Sequence, residues 1–133
     1  MSFKNLFRSS ERSIDGLTQE AREAIVDVLH FCMYADKHIA AREDEFIETA
    51  ARSLDWDARI SYDYYEGKSV GAVRTALADK DARELLFTSL KIRLSAKAAR
   101  ELALRLAGDL VKSDGQTVHA ETEAIAQLRR ALS

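Results

Sequence analysis

The chain has 133 residues, the length of one ordinary domain, and an apolar fraction of 47% against a charged fraction of 32% excludes both disorder and a membrane-embedded chain. A formal net charge of -2 leaves no cationic excess for phosphate neutralisation, and the basic residues alternate with acidic ones, so nucleic-acid binding is disfavoured. There is no proline, and Ala, Leu, Arg and Glu abound, which predicts long helices joined by short loops.

Residues 1–17 form an N-terminal segment in which Phe3, Leu6 and Phe7 share a potential helical face. The segment lacks the apolar run of a signal or transmembrane helix and reads as a short docking helix, internal or between subunits. A single helical domain is predicted over 18–133. Thr18 caps its first helix, along which Ile25, Val28, Leu29, Cys32 and Met33 recur at helical spacing up to Asp36. The lone cysteine sits in this stripe as a buried thiol, which fits a reducing compartment.

Phe46, Ile47, Ala50, Ala51 and Leu54 mark a second helix, predicted to form a hairpin with the first. Asp55 is read as the cap of a third helix through Trp56, Ile60, Tyr64 and Tyr65, stopped at Glu66-Gly67, with Ser69 starting a short fourth through Val73 and Leu77. The aromatic group Trp56, Tyr62, Tyr64 and Tyr65 fits core packing or a partner surface. Asp79 and Asp81 open the next helix, whose Leu85, Leu86, Phe87, Leu90 and Leu94 cover more than one face and imply a central position. Beyond Ser95, a helix with Ala98, Leu102, Leu106 and Leu110 in line ends at Asp114-Gly115, and Val118 to Leu132 forms the last. The predicted fold is all-α, a bundle of six or seven helices.

An internal echo stands out from this pattern. Asp36, Glu43, Glu45, Ile47 and Leu54 recur at identical spacing as Asp114, Glu121, Glu123, Ile125 and Leu132. Each copy sets an Asp at the end of one helix and a Glu in the first turn of the next, so two carboxylates flank a short turn. Hard cations take oxygen ligands from such loops, with calcium, magnesium or manganese ahead of zinc. Glu43 and Glu121 begin the core-facing stripes, whereas Glu45 and Glu123, two residues on, face elsewhere. The candidate metal ligands are therefore Asp36, Glu43, Asp114 and Glu121. Helix capping accounts for the same residues without a metal, because first-turn glutamates favour the helix dipole and Asp-Gly is ordinary turn chemistry. Neither loop has the ligand alternation or central glycine of an EF-hand. His30, His38, His119 and Cys32 give no zinc spacing, although His38 and His119 sit inside the acidic loops. No nucleophile elbow, phosphate loop, dinucleotide fingerprint or HExxH occurs, so no catalytic residues are assigned and a non-enzymatic role is expected.

Ala35-Asp36, Ile39 and Glu43, then Ser113-Asp114-Gly115, Val118 and Glu121, resemble the duplicated helix–loop–helix motif of the TerB-like tellurite resistance family, over most of the chain from Thr18 onward. The resemblance implies a compact, all-helical cytoplasmic protein of tellurite or general stress response. It also implies clustered acidic residues that bind divalent cations and protein partners at the inner membrane face. The alternative reading is a metal-free helical adaptor or protein-interaction module, and the N-terminal segment leaves room for a homo-oligomer.

Overall fold

Every residue from 24 to 33 is buried, so the middle of the helix that carries them presents no face to solvent. The computed structural model describes residues 17–35, 41–112 and 119–133, with 41–44 and 119–121 described by their backbone alone. Six α-helices stand among these residues: α1 (Gln19–Ala35), α2 (Ala41–Ser53), α3 (Tyr62–Ala78), α4 (Lys80–Arg93), α5 (Lys97–Lys112) and α6 (His119–Leu132). The chain is thus an all-α bundle, and α1 packs against each of the other five helices. Burying a side chain such as Ile25, Leu29 or Phe31 in that setting contributes about 1.5–3 kcal/mol. No described helix is long and apolar enough to cross a membrane.

The start of α1 is fixed by Thr18, whose hydroxyl accepts a hydrogen bond from the Ala21 amide at 3.0 Å. One turn on, Arg22 Nε donates to the Leu54 carbonyl at 2.6 Å and ties the end of α2 back to the beginning of α1. Ile47, Ala50, Ala51 and Leu54 are buried, as their spacing predicts. Cys32 is fully buried in the core, as its place in the apolar stripe predicts.

Residues 54–61 correct the sequence reading, because they form turns in place of a third helix. Asp55 takes a left-handed conformation with φ 61°, which ends the helical path. Trp56 Nε1 then donates to the Ile60 carbonyl at 2.9 Å, and the Gln19 side chain accepts from the Asp57 amide at 3.0 Å. The cap is Ser61, whose hydroxyl accepts from the Tyr64 amide at 3.2 Å. Gly67 does not stop the helix and Ser69 does not start one, since α3 runs unbroken from Tyr62 to Ala78. Tyr65, Ser69, Val73 and Ala76 form a buried stripe on α3, and that burial outweighs the roughly 1 kcal/mol that each helical glycine costs.

A single residue joins α3 to α4. Asp79 donates its amide to the Thr75 carbonyl at 2.9 Å to close α3, while its carboxylate accepts from the Ala82 amide at 2.9 Å to open α4. The central position expected for α4 belongs instead to α1. On α4 only Leu90 is fully buried, joined by Leu94 just past its end, while Leu86 and Phe87 are half-buried and Leu85 is 73% exposed. Its apolar residues spread over more than one face because one face is left open to solvent. In α5, Leu102, Leu106 and Leu110 line the core with Ala99, Ala103 and Ala107. Arg100 Nη1 donates to the Leu132 carbonyl at 3.0 Å, pinning the end of α6 to the first turn of α5.

Candidate functional site

A helix surrounded on all sides must bury whatever polar residues it carries, and α1 carries two within its apolar run, Asp27 and His30. Burying an unpaired charge is costly, so the surrounding helices supply partners. Asp27 Oδ2 accepts from Arg93 Nη2 on α4 at 2.7 Å. Its Oδ1 accepts from Tyr65 Oη at 2.9 Å and from Ser69 Oγ at 2.5 Å, both on α3. Arg93 also donates from Nη1 to Tyr65 Oη at 3.3 Å and from Nε to Ser89 Oγ at 3.0 Å. Five residues from three helices thus join in one largely buried network around a single carboxylate.

The last member is His30, whose Nδ1 lies 2.8 Å from Ser69 Oγ. Ser69 has one hydroxyl proton, and the short contact to Asp27 uses it. The imidazole must therefore donate from Nδ1–H, which leaves Nε2 as a bare lone pair. That nitrogen is buried and has no hydrogen-bond partner among the described residues. Burial holds the imidazole well below its ordinary range, at about 4, against the opposing pull of the Asp27 charge. Burial likewise raises the Tyr65 phenol, with the neighbouring Asp27 acting in the same direction. Burial alone would lower Arg93, but its pairing with Asp27 wins and the guanidinium is held charged.

The order of groups limits what this network can do. In a hydrolytic triad the imidazole lies between hydroxyl and carboxylate and takes the hydroxyl proton. Here the hydroxyl lies between, its proton is directed at Asp27, and Ser69 is only 2% exposed. The arrangement sets the register of α1, α3 and α4 and does not activate a nucleophile.

The sequence reading missed this network. Its one visible signal was the pair Asp27 and His30 interrupting an otherwise apolar stretch. Nothing local connects them to Tyr65, Ser69 and Arg93.

Of the four metal candidates, Asp36 and Asp114 lie outside the described residues, as does His38. Glu43 and Glu121 stand in the first turns of α2 and α6, but their side chains, like that of His119, also lie outside what is described. Glu45 and Glu123 are exposed, and Glu123 sits 3.7 Å from Arg130. Among the described residues no group of three or more His, Cys, Asp or Glu side chains is placed to hold a metal ion.

The aromatic group resolves into core and surface. Trp56 packs edge-on against Tyr62 with ring centres 5.4 Å apart and lies 5.5 Å from Tyr65, whereas Tyr64 is 75% exposed. Beside them an open cleft of about 530 Å³ is lined by Arg52, Asp55, Trp56, Ile60, Tyr62 and Asp63. Hydrogen bonds from Arg59 hold the nearby Asp57 carboxyl at about 2. The chain matches no protein-family model, no curated protein and no solved structure.

Proposed function

We propose that this chain is a non-enzymatic, TerB-like helical module of tellurite or general stress response that binds a divalent cation through Asp36, Glu43, Asp114 and Glu121. The observation carrying this reading is the repeated Asp–Glu spacing on two helix pairs, α1–α2 and α5–α6, that pack against one another through α1 with α5 and α6 and through α2 with α5. Apolar positions of the echo support it, since Ile47, Leu54 and Leu132 are buried and Ile125 packs on the same core. Two loops of like chemistry on adjoining pairs suit a hard cation, which needs more oxygen ligands than one short turn supplies. A cytoplasmic location and protein partners at the inner membrane face belong to the same proposal.

Isothermal titration of chelator-treated protein with calcium, magnesium, manganese and zinc tests it. Saturable heat with thermal stabilisation by a hard cation supports the reading. No heat and no stabilisation with any of the four ions sinks it in favour of a metal-free adaptor. The exposed apolar residues of α4 favour that second reading.

A further inference from the structure

Tyr64, Leu85 and Ile92 are the large hydrophobic residues that the described structure leaves exposed, and two of them share α4. Leu85 is 73% exposed and Ile92 69%. Seven residues apart, they lie two turns and about 10.5 Å from each other on one face of the helix. Between them stands Thr88, whose hydroxyl donates back to the Glu84 carbonyl at 2.9 Å. That bond uses the hydroxyl proton within the helix, and the methyl continues the apolar stripe. Along the flank run Glu84 and Lys91, also seven apart, both exposed and neither in an ion pair with a described residue.

We propose that this face is a self-association surface on which two copies of the chain pair α4 against α4, antiparallel, about a twofold axis near Thr88. Reversal of the second helix sets Leu85 against the partner's Ile92 and Glu84 against the partner's Lys91, and the twofold repeats both contacts. Parallel pairing about a twofold puts the Glu84–Lys91 flanks of the two copies on opposite sides of the seam, where these charges do not meet. The charge order along the flank therefore selects both the occupant, a second copy, and its direction. Asp81, one turn before Leu85 on the same face, falls opposite the partner's Ser95, just past the end of its α4. A patch centred on two apolar residues per copy gives a concentration-dependent dimer and not a permanent one. This proposal is independent of the cation reading.

Sedimentation velocity of the full chain over a wide concentration series tests it. The wild type is expected to show a monomer–dimer equilibrium. E84K and K91E each put like charges opposite one another twice, and each is expected to raise the dissociation constant about tenfold. An equimolar mixture of E84K and K91E restores opposite charges at both contacts, and so does the double variant, so both should return toward the wild-type constant. Leu85→Ser with Ile92→Ser abolishes the dimer while leaving the helical spectrum unchanged. A chain that stays monomeric at every concentration overturns the proposal. So does a dimer that ignores the serine substitutions, or charge reversals that the mixture fails to rescue.

Discussion

Asp27 and Arg93 stand 66 residues apart in the chain and 2.7 Å apart in the fold, their side chains only 6% and 19% exposed. The pair joins the middle of α1 to the last residue of α4. Removing one partner leaves the other charge buried without its counter-ion. Arg93→Met is expected to lower unfolding free energy by about 3 kcal/mol in urea denaturation. Adding Asp27→Leu should recover part of that loss, because no unpaired charge then remains.

Acid should weaken the fold through His30. Its folded imidazole protonates only at about 4, whereas in the unfolded chain it does so near 6.5. Between those values the unfolded state binds the extra proton, so the stabilisation is complete above 6.5 and is lost as pH falls toward 4. The full difference amounts to about 3 kcal/mol. His30→Gln does not titrate, and urea denaturation across this window should show a shallower decline for the variant than for the wild type.

Gly67 and Gly71 lie inside α3, and a methyl group added at either meets nothing within 4 Å. Alanine at these sites restricts the unfolded chain and favours helix without a clash. Gly67→Ala and Gly71→Ala should each stabilise by about 0.5–1 kcal/mol, read as a rise in the thermal midpoint.

Asp79 serves two helix ends at once. Asp79→Ala removes the acceptor that holds the Ala82 amide and is expected to cost about 1 kcal/mol in chemical denaturation. Asn at the same position keeps an acceptor and should retain most of the stability.

The cation reading makes its own prediction. Asp36→Asn with Asp114→Asn should lose cation-dependent thermal stabilisation while circular dichroism remains that of the wild type. If the two aspartates only cap helices, the melting of neither the wild type nor the variant will respond to the ions.

Helix positions were largely legible in the sequence where an apolar stripe coincided with a cap, as at Thr18 and Asp79. Around Trp56 the same logic misled, because Trp56, Ile60 and Tyr64 fall at helical spacing while Asp55 turns into the left-handed region. Spacing reports which residues are apolar and is blind to one backbone torsion. Gly67 misled in the opposite direction, since a glycine stops a helix only where packing does not carry the chain through it. The network around Asp27 was illegible for a different reason. Its members come from three helices, and which residues meet across a bundle depends on how the helices pack and not on any local interval.

Among the described helices α1 comes first in the chain and touches all five others, so it is the last of the six to be fully covered. Its apolar run stays partly bare on the ribosome until residues 119–132 have emerged, so commitment to the native state comes late. Stalling before the final helix should leave an aggregation-prone intermediate where a bundle built from successive, self-contained hairpins would not.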